Sequence, residues 1–138
     1  MQRAGLFFTI FAHPFIEVFL FIKLVRKMTE KKKVLFVTQE MEPYTALSEI
    51  SSVMRKLPEY VQGKSMEIRV LMPRFGTINE RRHRLHEVVR LSGMNIIVDD
   101  DDFPLIIKVA SLPGARLQVY FLDNDDFFKR KSVFTDDE

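Results

Sequence analysis

The chain has 138 residues, of which 46% are apolar and 29% charged, the size and composition of one globular domain. A formal net charge of +2 predicts no particular partner. With no cysteine, disulfides and thiolate metal sites are excluded.

The first 27 residues differ in kind from the rest. MQRAGLFFTIFAHPFIEVFLFIKLVRK holds six of the thirteen phenylalanines. Three readings stand. From Ala4 to Val25 the stretch has about the length of a membrane span. Against this, His13, Pro14, Glu17 and Lys23 interrupt it, and a central Glu costs about 2–3 kcal/mol or more in hydrocarbon. Arg3 and the run Gly5–Ala12 suit a signal peptide, but no small-x-small cleavage site follows. The third reading is an over-extended start, because Met28-Thr29-Glu30-Lys31-Lys32-Lys33 has the character of a natural N-terminus before a core strand. Residues 1–27 are accordingly expected to be an apolar extension outside the fold, and 28–138 the domain. A membrane partner is expected only if residues 1–27 are an anchor.

Val34–Val37 is an unbroken apolar run, short and flanked by charge, which suits a strand buried on both faces. Leu47, Ile50, Val53, Met54, Leu57 and Val61 follow at spacings of three and four, one face of a helix over about Ala46–Tyr60, with Thr45 as its N-cap and Leu57 on the buried side. Ile68–Met72 reads as a second strand. Strand, covering helix and strand make a βαβ unit with parallel strands. Ligands of open α/β sheets sit beyond the carboxyl ends of the strands, which singles out the loops Gln39–Thr45 and Pro73–Thr77.

Beyond Gly76, Ile78–Leu85 predicts a short helix with Asn79 and Glu80 early and arginines late. His86–Leu91, Met94–Val98 and Leu105–Leu112 read as strands, with Asp99–Asp102 as a solvated hairpin tip and Pro104 at a strand start. Leu117–Leu122 returns to the main sheet. The predicted fold class is α/β, a partial Rossmann-like parallel sheet with a β-hairpin excursion.

The charged clusters carry little specific chemistry. Arg81, Arg82, His83 and Arg84 read as a solvated helix face, or as a contact for an anion or polysaccharide rim. Without interleaved aromatics they give no nucleic-acid surface. Four consecutive Asp residues lack the spacing of a calcium loop. His83 and His86 have no third ligand in view, so no metal is expected. No nucleophile triad or Walker pattern is present.

Three blocks carry a family resemblance. Val37-Thr38-Gln39-Glu40-Met41-Glu42-Pro43-Tyr44 resembles the opening of bacterial glycogen and starch synthases, whose first strand enters a Glu-x-x-Pro-aromatic loop. Leu71-Met72-Pro73-Arg74-Phe75-Gly76 resembles that family's second strand and its Pro-basic-aromatic-Gly exit. Leu112-Pro113-Gly114, then Val119–Asn124 and Phe127-Phe128-Lys129-Arg130, form the third block. The likeness runs from about Lys32 to the end. It implies the first half of the N-terminal domain of a two-domain glycosyltransferase of the GT-B type. The family moves glucose from a nucleotide sugar, usually ADP-glucose, to the non-reducing end of an α-1,4-glucan. It needs no tightly bound cofactor and is cytoplasmic.

The family's loop continues from its aromatic residue into Lys-Thr-Gly-Gly-Leu and an acidic residue. Here Tyr44 leads into Thr45-Ala46-Leu47-Ser48-Glu49, a shorter segment without the lysine or the glycine pair. Those groups would cradle a phosphate, whereas Glu40 and Glu42 oppose one. The family's later acid and histidine positions and its nucleotide-binding second domain have no counterpart. No catalytic residue is therefore assigned. The resemblance implies substrate contacts from Glu40, Pro43, Tyr44, Glu49, Arg74 and Gly76, each with a plainer reading as loop shaping, packing or surface charge. Two functions are carried forward: a glucosyltransferase fragment, inert alone, or a non-catalytic α/β module that binds glucan or a partner.

Overall fold

The structure, a computed structural model, describes residues 17–26, 30–130 and 133. The chain divides into two compact units, Met1–Lys31 and Lys32–Glu138. In the first, residues 17–26 are helical, and Lys23 lies over the Phe19 ring one turn earlier. No helix among the described residues is long and apolar enough to cross a membrane. The readings of residues 1–16 and of a start at Met28 lie outside the described residues.

The second unit is an α/β sheet. Its strands are β1 (Lys33–Val37), β2 (Glu67–Pro73), β3 (His86–Glu87), β4 (Met94–Val98), β5 (Asp101–Ser111) and β6 (Gln118–Asp123). The order is β1-β2-β6-β5-β3, with β4 also paired to β5. β1, β2 and β6 run parallel, with Val34 opposite Ile68 and Val70 opposite Val119. The expected parallel core is present, because its apolar runs meet in register. β5 runs antiparallel to β6.

The hairpin differs from expectation. β3 stops at Glu87, and Val89–Leu91 turns into a single 3₁₀ turn instead of continuing a strand to Leu91. β5 begins at Asp101, so two of the four aspartates belong to a strand, and Asp99 takes the turn with φ 55°. β5 is not a mere excursion, since its second half pairs with β6 as part of the main sheet. Pro104 lies inside β5, opposite Asn95. It costs no ladder bond there. The Leu105 carbonyl accepts from Gly93 on the β4 side, so Pro104 turns the other way, beyond the end of β6, where its carbonyl accepts from Asn124 Nδ2.

Helix α1 (Glu49–Gln62) covers one sheet face, its N-cap being Ser48 instead of Thr45. Its rotation also departs from the apolar pattern. Ser51 and Pro58 are the buried positions, Met54 and Val61 pack partly against the core, and Leu57 is 41% exposed along with Ile50, Val53 and Tyr60. Polar tethers set this rotation. Arg55 Nη2 donates to the Pro113 carbonyl at 2.6 Å and Gln62 Nε2 to the Arg116 carbonyl at 2.9 Å, holding one flank to the β5–β6 turn. At 100° per residue the opposite flank then carries Ile50, Val53, Leu57 and Tyr60 on the β1 side. The core beneath α1 is Ile68, Val70, Met72, Val119 and Phe121, closed by Met41, Tyr44, Phe75, Ile78, Leu112 and Leu117. Two further helices are one turn each, α2 (Glu80–His83) and α3 (Asp125–Phe128).

Candidate functional site at the strand ends

The loop after β1 is tied tightly to itself. Met41 and Thr45 exchange backbone hydrogen bonds, and Tyr44 N–H donates to the Met41 carbonyl. The Glu40 carboxylate then reaches forward to the start of α1. It accepts from the backbone N–H of Leu47 at 3.0 Å and of Ser48 at 2.8 Å, and from the Ser48 hydroxyl. Ser48 in turn caps the helix by accepting from Ile50 N–H. These bonds, the Ser48 hydroxyl foremost, hold the Glu40 carboxyl below its usual range. Two N–H groups just before the helix, those of Leu47 and Ser48, are thus taken by the chain's own carboxylate, while Ser48 itself occupies the Ile50 N–H of the first turn.

At the ends of β2 and β6 the strands bring opposite charges together. Arg74 is 9% exposed, not a free surface cation. Its Nε donates to Asp123 Oδ1 at 2.8 Å and lies 3.4 Å from Glu80 Oε1, and its Nη2 reaches Asp125 Oδ1 at 3.2 Å. Lys108, from β5, bridges the same carboxylates: Nζ is 2.7 Å from Asp123 Oδ2 and 2.8 Å from Glu80 Oε1. Burial pulls the Lys108 ammonium down, but hydrogen bonds and charge from Asp123 and Glu80 outweigh it, and the net effect is a raised pKa. Asp125 is held below the usual carboxylate range, mainly by Lys129. This network borders an open cleft of about 580 Å³, also lined by Asn124, Asp126 and Ile106. Its matched charges and amide suit hydrogen bonding to a polyhydroxylic ligand. Among the described residues, no three His, Cys, Asp or Glu side chains are grouped to hold a metal.

The remaining expected residues lie elsewhere. Tyr44 is buried at 6% exposure, wedged edge-on against Phe121 and His83, each ring 5.0 Å away. Buried so, its ring packs between those two and does not stand free as a stacking platform. Pro43 and Glu49 are exposed, Glu49 in the first turn of α1. Gly76 is a contact requirement: a Cβ there would lie 2.8 Å from the Arg130 carbonyl, and its N–H donates to the Phe128 carbonyl. Among the six, only Arg74 lines the 580 Å³ cleft. The sequence reading missed Asp123, Lys108, Glu80 and Asp125. One signal was available: Asp123 ends β6 as Arg74 follows β2, and neighbouring parallel strands set such residues side by side.

Comparison with known proteins gives three concordant findings. The family described as starch synthase catalytic domain matches residues 33–138. The glycogen synthases of Chlorobium limicola and Chlorobium phaeobacteroides are each 40% identical over 104 residues, 75% of this chain and 21% of theirs. That of Chlorobaculum tepidum is 39% identical over the same span. Among solved structures, the catalytic domain of starch synthase IV from Arabidopsis thaliana, bound to ADP and acarbose, superposes with a TM-score of 0.67 at 17% identity, covering 78% of this chain and 22% of that one. The likeness to that structure establishes a shared fold. The chain spans about a fifth of the length of the relatives it matches.

Proposed function

The chain belongs to the starch synthase catalytic domain family, and from that premise we propose that it is the opening part of a glucosyltransferase. The reaction is transfer of glucose from ADP-glucose to the non-reducing end of an α-1,4-glucan. The observation that supports this reading is the family match through residues 33–138. The ADP and acarbose carried by the Arabidopsis structure are a nucleotide and a sugar ligand of the matching kinds. The setting is cytoplasmic, as for the family.

In this reading the strand ends face the substrates. Arg74 and its carboxylate partners exchange hydrogen bonds with glucan hydroxyls at the cleft. Glu49, exposed in the first turn of α1, contacts a sugar hydroxyl. Glu40 and Pro43 set the loop's shape, Tyr44 anchors it, and Gly76 lets the β2 exit loop pass close to the Arg130 backbone. Stabilising the departing diphosphate is the main electrostatic demand of such a transfer. The chain has no Lys-Thr-Gly-Gly segment, and Glu40 holds the N–H groups before α1. Positioning of donor and acceptor, a large share of the rate, requires a second domain across the cleft. The 138-residue chain is therefore expected to transfer no glucose on its own. Incorporation of radiolabelled glucose from ADP-glucose into glycogen is the assay. Turnover well above a heat-killed control, abolished by Glu49→Ala, would overturn this expectation.

The Glu40 contact also favours a second reading, a non-catalytic module that binds glucan or a partner. A chimera separates the two. In it, residues 33–130 replace the matching stretch of the Chlorobium limicola enzyme. A folded chimera that transfers glucose supports the enzyme reading. A folded chimera that binds glycogen without transfer supports the module.

A further inference from the structure

A second cleft, about 520 Å³, opens on the helix-covered side of the sheet, between α2, the Tyr44 loop and the end of β5. Its lining includes Tyr44, Arg82, His83, Arg84, His86 and Ser111, and among the described residues no carboxylate. The chain builds it locally. Asn79 caps α2, and Arg84 ends it in the left-handed conformation with φ 54°. The chain then enters β3 at His86, so four basic side chains in five positions come to border one hollow. None of Arg82, His83, Arg84 and His86 has an ion-pair partner among the described residues, in contrast to Arg74 and Lys108.

A second, independent feature lies at the same place. Tyr44, 6% exposed, lines the cleft, and its hydroxyl is buried without a hydrogen-bond partner among the described residues. A buried hydroxyl left unpaired is unfavourable and calls for a partner. Burial pushes this hydroxyl up to about 12, so it keeps its proton and remains a donor. His83 is held below its ordinary value by burial and by the Arg82 charge, an imbalance that an anion would reverse.

The geometry points to a binding site for a small phosphate ester in this cleft. Arg82 and Arg84 pair with the phosphate oxygens, which guanidinium forks match. His83 and His86 border the anion, and the Tyr44 and Ser111 hydroxyls serve the polar body of the ligand. A volume in the range of small-molecule sites leaves room for a sugar-sized group beyond the phosphate. This goes beyond the glucosyl-transfer reading and stands or falls separately, since none of its basic residues borders the Arg74 cleft.

Calorimetry and histidine-ring NMR on the full chain test it, with glucose 1-phosphate, inorganic phosphate and glucose as probes. Glucose 1-phosphate is expected to bind, to shift the His83 and His86 ring signals and to raise the His83 titration midpoint. Inorganic phosphate does the same more weakly, and glucose does neither. Replacing both arginines (Arg82→Gln with Arg84→Gln) weakens binding about tenfold or more, as loss of charge-assisted hydrogen bonds requires. The urea midpoint stays unchanged, because both side chains are exposed. Tyr44→Phe keeps the ring packing and weakens binding severalfold. Unmoved His83 and His86 signals up to about 10 mM glucose 1-phosphate, where even millimolar affinity would register, would overturn the site. So would equal affinity in the double arginine variant, or equal binding of glucose.

Discussion

The two flanks of the sheet are finished to different degrees. On the β5–β6 flank, α1 is tethered through Arg55 and Gln62, the core is closed by Leu112 and Leu117, and the strand-end charges are matched pair by pair. On the β1 flank, Leu35, Ile50, Val53, Leu57 and Tyr60 are exposed, and Val37 is 71% exposed. Among the described residues, β1 pairs with β2 alone. The apolar arc written into the sequence is wider than the area this unit buries by itself. Amphipathic patterning therefore records the contacts for which a segment was selected, and those exceed the contacts within a stretch covering about a fifth of its relatives' length.

The sharpest way to break that contrast is to remove a charge from the closed flank. Asp123→Ala leaves Arg74 and Lys108 without their shared buried partner. The expected loss is about 3–5 kcal/mol, typical of breaking a buried pair from one side, and urea unfolding reads it. A loss below about 1 kcal/mol would mean that solvent screens the network.

Alkaline titration probes the same flank with a somewhat smaller effect. Tyr44 rises from 10.0 to about 12, and Lys108 is also raised. Groups raised on folding hold their protons more tightly in the native state. Their contribution is complete below the unfolded values and is lost as pH climbs through the folded ones. Stability should fall between about pH 10 and 12, with Tyr44 accounting for roughly 2–3 kcal/mol at 1.36 kcal/mol per unit. Tyr44→Phe should flatten part of the slope. An unchanged urea midpoint across that range would contradict the burial of Tyr44.

On the open flank the expected effect is much smaller. Leu57→Ala should cost less than about 1 kcal/mol, because at 41% exposure the side chain has little to lose, against 2–5 kcal/mol for a buried leucine. A larger loss would mean that something covers α1. The smallest change should come from starting the chain at Met28, since residues 1–27 are proposed to lie outside the fold. An equal urea midpoint in both forms is the expected result, and failure of the shorter form to fold would overturn it.

The sequence made local order legible and cross-chain order less so. The parallel trio β1, β2 and β6 was readable because Val34–Val37, Ile68–Met72 and Leu117–Leu122 are dense apolar runs around one helical segment. The rotation of α1 was not, since it depends on hydrogen bonds from Arg55 and Gln62 to carbonyls at Pro113 and Arg116, more than fifty residues away. The N-cap shifted from Thr45 to Ser48 for a similar reason, because Glu40 organises the intervening turn. At the strand ends, Arg74 was singled out by its motif. Its partners Asp123 and Lys108 become visible only when β2, β6 and β5 are laid side by side.

Glu40 has one more consequence, best stated in terms of competition. Its carboxylate is tethered seven and eight residues from the N–H groups it fills, so it is present there at an effective concentration of millimolar or above. A dissolved anion must exceed that local concentration, or bind correspondingly better, before it gains those two donors. The turn before α1 therefore behaves as a site already loaded with its own inhibitor, and any ligand that uses the Leu47 and Ser48 N–H groups must first displace Glu40.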